Sequence, residues 1–206
     1  MDIKPWDARI AAVLVRPLAD TAVTPNHITT LSLLLSLTAG VLFATGDPRF
    51  VNMAAILSML HELIDHCDGE LARMTGKVTR FGHYYDLISD FVHYIVLFMG
   101  IGIGLRGGTP GDWTLAMGGV IGISVCIIFG LLWHMQVRCG SEQAQPGFAG
   151  FEVQDLMYLI GPVTWLGGLQ TFFYAAFIGT PLFALWMLRD YRRCIAAGIT
   201  DKPVGK

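Results

Sequence analysis

Apolar residues run along this chain in long stretches separated by short polar segments. Stretches of about 20 mostly apolar residues, the length that crosses a hydrocarbon core, can be placed at 26–45, 50–72, 83–105, 113–136, 152–167 and 169–188. The pattern predicts an all-α integral membrane protein with six transmembrane helices. The fifth is the shortest and contains Gly161-Pro162, a pair that kinks or truncates a helix. Ahead of the first, residues 4–18 place Trp6, Ile10, Val13, Leu14 and Pro17 on one helical face, with Lys4, Asp7, Arg9 and Arg16 largely elsewhere. That spacing predicts an interfacial amphipathic helix lying flat on the membrane.

Composition supports the membrane assignment, since 53% of the 206 residues are hydrophobic and only 15% charged, outside the range of ordinary soluble domains. Six spans with a cytoplasmic N-terminus put Lys4, Arg9, Arg16, Arg73, Lys77, Arg80, Arg138, Arg189, Arg192, Arg193, Lys202 and Lys206 inside, leaving Arg49 and Arg106 outside. So uneven a split matches the positive-inside rule and predicts cytoplasmic termini, in a cytoplasmic membrane of bacterial or archaeal type. The expected organisation is one domain over 1–206: a juxtamembrane helix at 1–20, a six-helix bundle at 25–190 and a cytoplasmic tail at 191–206. The long polar connection, residues 139–151, falls on the cytoplasmic side. No basic n-region with a cleavage site opens the chain, so the first helix is expected to persist in the mature protein. A formal charge of −2, with the basic residues scattered, argues against a nucleic-acid partner. Cys67, Cys126, Cys139 and Cys194 show no metal-binding spacing and read as free thiols.

The second and third spans carry HELIDHCDGELARMTGKVTRFGHYYDLISDFVHY, with charges that a lipid-facing helix could not tolerate. Asp65 and Asp68 are three residues apart and Asp86 and Asp90 four, so each pair shares a helical face, and a turn near Thr75-Gly76 is expected to fold the helices side by side. Four convergent carboxylates repel unless cations neutralise them, and oxygen-only ligation selects Mg²⁺ or Mn²⁺ over zinc. Gly69, Ala72 and Gly82 clear space for a ligand, and Arg73 offers a planar fork to a phosphate. Together these groups are equipment for phosphoryl transfer, with one carboxylate left to take a proton from an attacking hydroxyl.

The eight positions Asp65, Asp68, Gly69, Ala72, Arg73, Gly82, Asp86 and Asp90, with their gaps, resemble the signature of the CDP-alcohol phosphotransferases, also called CDP-alcohol phosphatidyltransferases. The resemblance implies a two-metal centre of Mg²⁺ or Mn²⁺ held by Asp65, Asp68 and Asp86, with Asp90 a partial ligand and the general base. It implies that Asp68, Gly69, Ala72, Arg73 and Gly82 hold the CDP moiety in a pocket open to the cytoplasm, and that the protein is a homodimer. The expected reaction moves a substituted phosphate from a CDP-linked donor, CDP-diacylglycerol in the favoured reading, to a small polar alcohol and releases CMP. Phe91-Val92-His93 follows Asp90 where relatives that make phosphatidylglycerol phosphate commonly carry lysine. Arg138 and Arg189 are candidates for an anionic acceptor site, although they serve equally as topology anchors, the favoured role of Arg192 and Arg193.

Two other functions fit parts of the pattern. A CDP-linked amino alcohol donating its head group to diacylglycerol uses the same motif, but the chain is more compact than such enzymes. A divalent-cation transporter also needs intramembrane acids, but here they cluster toward one face beside Arg73, which repels a cation in transit. Glu62 and His66 are possible outer partners of the acids. His61, His83 and His93 show no mutual ligand spacing and read as satisfied polar residues; Asn26, after Pro25, reads as a helix start.

Overall fold

The structure, a computed structural model, describes residues 6–139 and 153–196. Nearly all of the polar connection 139–151 and the tail beyond 196 lie outside the described residues. Seven α-helices follow in order: α1 (Trp6–Val15), α2 (Pro25–Ala44), α3 (Pro48–Thr75), α4 (Arg80–Gly104), α5 (Trp113–Cys139), α6 (Ile160–Trp165) and α7 (Leu169–Ala196), with no strand among the described residues. Four of them, α2, α4, α5 and α7, are long and apolar enough to cross a membrane. Their outward side chains, Leu34, Val41, Ile123, Ile178 and Leu182 among them, are exposed apolar surface that water would penalise and lipid would not. At 28 residues α3 is longer than any of these except α7, but its charged second half excludes it on composition.

The fifth predicted span is not one continuous helix. Its described part is a 3₁₀ segment, Val153–Leu159, running into the six-residue α6 with Pro162 inside. Seven residues rising about 2.0 Å each and six rising about 1.5 Å reach roughly 23 Å, against about 30 Å of hydrocarbon.

Local chemistry fixes the hairpins that frame the site. Asp47 caps α3 by accepting from Arg49 N–H at 2.8 Å, and Thr79 caps α4 by accepting from Gly82 N–H at 2.9 Å. Gly76 ends α3 at φ +67°, left-handed backbone that disfavours any residue with a Cβ. The turn does not fold the two helices side by side as expected. Instead α3 and α4 each pack along α2, with little backbone contact between them, so a gap bridged by side chains separates them. Close approach of α4 to α2 rests on glycine: a Cβ on Gly100 would overlap the Gly40 carbonyl oxygen.

One core cluster, with Phe43, Leu97, Phe98, Ile101, Ile121 and Phe173 at its centre, joins α2, α4, α5 and α7. A smaller one, Ala11, Val15, Ile28, Cys67 and Leu71, docks α1 onto α3 and α2. The side of α1 packed on the protein carries Asp7, Ala8, Ala11 and Val15, and Ile10, Val13 and Leu14 point outward. Small residues allow close docking, while the larger apolar ones are left for lipid. Cys67 and Cys126 are free, but Cys194 on α7 is disulfide-bonded, against the expectation of free thiols throughout. Distance along the chain is no guide where helices as remote as α5 and α7 pack together.

Candidate active site

The gap between α3 and α4, roofed by the N-terminal half of α2, holds a cavity of about 280 Å³. Six of the eight signature residues line it: Asp68, Gly69, Ala72 and Arg73 from α3, Gly82 and Asp86 from α4. Asp65, Asp68 and Asp86 bring one carboxylate oxygen each within 4.8 Å of one another. Asp90 stands one turn beyond Asp86, partly buried and within electrostatic reach of Asp65, but outside that triad.

The residues fit a hard divalent cation. Every donor is a carboxylate oxygen, Asp68 is only 6% exposed, and Asp86 Oδ1 is buried with no hydrogen-bond partner. An anionic oxygen left so is costly unless a cation completes it.

The surrounding groups have specific work. Arg73 Nη2 donates to Glu70 Oε1 at 2.6 Å, which lays the exposed guanidinium along the cavity rim from a buried carboxylate. A Cβ on Gly69 would sit 3.5 Å from that guanidinium, so the glycine leaves a flat floor beneath it. Gly82 makes room for the protein as well as for a ligand: a Cβ there would lie 3.1 Å from Asn26 Oδ1.

Sequence reasoning missed the contribution of α2. Its buried stripe carries Thr29, Ser32 and Ser36 toward the gap. The Thr29 hydroxyl donates to Asp68 Oδ2, and Ser32 Oγ donates to Asp65 Oδ1 at 3.3 Å. Their i, i+3, i+7 spacing on an otherwise apolar helix is the signal that could have found them. Asn26, beyond opening α2 after Pro25, lines the cavity with Thr29, Lys77 and His83. The Nδ1–H of His66, an expected outer partner, donates to the Glu62 carbonyl at 2.8 Å, and its Nε2 stands 3.1 Å from Asp7 Oδ2 on α1. Of the acceptor candidates, Arg189 is exposed in a different hollow beside Trp186 and Arg192, and the side chain of Arg138 lies outside the described residues.

Residues 22–197 match the family described as CDP-alcohol phosphatidyltransferase. The chain belongs to the CDP-alcohol phosphatidyltransferase family. Among curated relatives, it is 33% identical over 89 residues to archaetidylinositol phosphate synthase of Pyrococcus horikoshii, covering 43% of this chain and 46% of that one. It is also 33% identical over 90 residues to the bifunctional IPC transferase and DIPP synthase of Archaeoglobus fulgidus, covering 43% of this chain and 16% of the relative. The matched stretch thus spans about half the first relative and about a sixth of the second. Family membership and the apolar helices together make this an integral membrane protein.

Proposed function

We propose that this CDP-alcohol phosphatidyltransferase transfers a substituted phosphate from a CDP-linked lipid, CDP-diacylglycerol in the first reading, to the hydroxyl of a small polar alcohol, releasing CMP. One observation carries the reading: an all-oxygen acid triad in a cavity rimmed by Arg73, at the positions of the family signature.

Asp65, Asp68 and Asp86 would hold a Mg²⁺ or Mn²⁺ centre of two ions, with Asp90 contributing at its edge. The chemistry such ions supply when bound is stabilisation of negative charge on the pyrophosphate and on the departing CMP. The other roles belong to side chains. Arg73 binds phosphate oxygens, and Gly69, Ala72 and Gly82 leave the space a nucleotide needs. Asp90 takes the proton of the acceptor hydroxyl as its oxygen bonds to the phosphorus on the lipid side and the phosphorus–oxygen bond to CMP breaks. Thr29 and Ser32 hold Asp68 and Asp65 in place from α2.

The uneven distribution of Lys and Arg supports six spans, counting α3 and the broken fifth segment, with termini and cavity on the cytoplasmic side. We further read α1 as an interfacial helix, the chain as a single functional unit, and the assembly as a homodimer. The name of the Pyrococcus relative puts inositol phosphate first among acceptors to try.

The test is CMP release by the purified protein in nanodiscs with Mg²⁺ or Mn²⁺, CDP-diacylglycerol, and inositol phosphate, glycerol phosphate, serine, inositol or glycerol. Acceptor-dependent release that EDTA abolishes supports the reading and names the acceptor. Release from CDP-choline or CDP-ethanolamine with diacylglycerol, and from nothing else, would reverse the direction of transfer.

A further inference from the structure

Another cluster of donor atoms lies one helical turn beyond the acids, and the reaction above does not use it. Glu62 precedes Asp65 by one turn on α3, and His93 follows Asp90 by one turn on α4. Together with His61 they bring three potential metal-ligand atoms within 4.8 Å of one another. The site is buried: His61 is 2%, Glu62 5% and His93 1% exposed. Across the gap the two imidazoles stack, with centroids 3.7 Å apart and planes 27° apart. They share no spacing along one helix, because they stand 32 positions and a turn apart.

The hydrogen bonds of α2 assign the tautomer of His61. His61 Nδ1 stands 2.7 Å from Ser32 Oγ and 3.1 Å from the Ser32 carbonyl oxygen. A carbonyl only accepts, so Nδ1 carries the proton and Nε2 keeps its lone pair. Ser32 Oγ, accepting from His61, is then free to give its own proton to Asp65 Oδ1. One turn further along α2, Ser36 Oγ meets His93 Nδ1 at 2.8 Å. His93 Nε2 stands 3.2 Å from Glu62 Oε1, and neither atom has a hydrogen bond of acceptable geometry. A buried carboxylate oxygen without a hydrogen bond is costly, and a cation beside it completes both that oxygen and the imidazole nitrogen.

We propose that His61, Glu62 and His93 form a transition-metal site of the zinc type, separate from the oxygen-only acid centre. Two Nε2 atoms and a carboxylate oxygen are a donor set that favours Zn²⁺ over Mg²⁺, and imidazoles oriented through Nδ1 by neighbouring polar groups are the usual supporting arrangement. Three protein ligands leave a fourth position for solvent. The ion braces α3 to α4 where the two helices do not pack on each other.

The experiment uses the full-length protein in detergent, kept in excess Mg²⁺, loaded with Zn²⁺, gel-filtered and analysed by plasma mass spectrometry. Wild type and Asp86→Asn should each retain close to one zinc per chain. Glu62→Gln and His93→Gln should lose it, since removing a ligand costs more than the roughly 100-fold that loss of an outer partner can cost. Because those variants could misfold, Co²⁺ is also added to the wild type, where a nitrogen-ligated visible absorption band in the presence of Mg²⁺ is expected. No retained zinc and no cobalt band in the wild type would overturn the proposal. So would zinc that survives both Glu62→Gln and His93→Gln, or zinc lost in Asp86→Asn but kept in His93→Gln, which would locate it among the acids. None of these readouts depends on turnover, so they stand or fall separately from the transfer reaction.

Discussion

Thr29→Val isolates what α2 does for the acid centre. Valine keeps the shape and branching of threonine but cannot donate, so Asp68, 6% exposed, loses the hydroxyl that bonds its Oδ2 while the helix contact remains. The Thr29 hydroxyl also lies 3.2 Å from the Pro25 carbonyl, but it has one proton, which goes to the closer and charged acceptor. A hydrogen bond to a charged group contributes about 1.5–3 kcal/mol, and at about 1.4 kcal/mol per tenfold this corresponds to roughly 10- to 100-fold. Loss of a group supporting a metal ligand independently gives about 10- to 100-fold in metal affinity. The expected outcome is therefore a rise of that size in the Mg²⁺ or Mn²⁺ concentration giving half-maximal CMP release, with the maximal rate largely restored at saturating metal. The assay is a metal titration of acceptor-dependent CMP release, paired with calorimetric metal binding without substrate. Unchanged metal dependence would refute the reasoning. A fall in maximal rate that no metal concentration repairs, with calorimetric affinity intact, would assign Thr29 to the nucleotide instead.

Asp90→Asn should abolish turnover while CDP-donor binding, followed by fluorescence or calorimetry, stays near wild type; lost binding in a folded variant would make Asp90 chiefly a ligand. Arg73→Lys should weaken donor binding, because a point charge reproduces neither the guanidinium fork nor its bond to Glu70, and unchanged affinity would remove Arg73 from the site. EDTA should stop CMP release and added Mg²⁺ or Mn²⁺ restore it; activity that survives EDTA would count against the acid centre. Gly100→Ala gains about 1 kcal/mol of helix propensity but drives a Cβ into the Gly40 carbonyl, where overpacking costs about 1–3 kcal/mol. A net lower thermal midpoint in detergent is expected, and an unchanged one would mean that α2 and α4 can separate freely.

The acids were legible because charge inside a membrane is costly and needs a reason, so Asp65, Asp68, Asp86 and Asp90 announced themselves by type and spacing. Serine and threonine carry no such signal. Thr30, Thr38 and Thr180 satisfy their hydroxyls on carbonyls four residues back, the commonplace fate of these residues in apolar helices. Nothing in composition separates them from Thr29, Ser32 and Ser36, which turn to the acids and histidines instead. The protein-facing side of α1 is hard to see for a related reason: Ala8 and Ala11 register weakly in any apolar pattern, yet small residues are what let a helix dock closely. The burial of Asp7 is equally silent in the sequence, because its partner, His66, is remote along the chain.

His61 and His93 were legible in principle. His61 stands about as far before the turn at Gly76 as His93 stands after it, and so do Asp68 and Asp86. A fold about that turn that pairs the acids must pair the histidines. Spacing sought along one helix does not reveal this pairing, whereas spacing across the hairpin does. The same geometry explains why α2 matters to both clusters. With α3 and α4 held apart, each finds its packing on α2, and a single stripe of that helix bonds in succession to Asp68, to Asp65 with His61, and to His93. A change at Thr29 therefore acts on the acid end alone and one at Ser36 on the histidine end alone. Ser32 touches both, so its replacement should couple metal dependence at the acids to the state of the histidine cluster in a way that neither of the other two can.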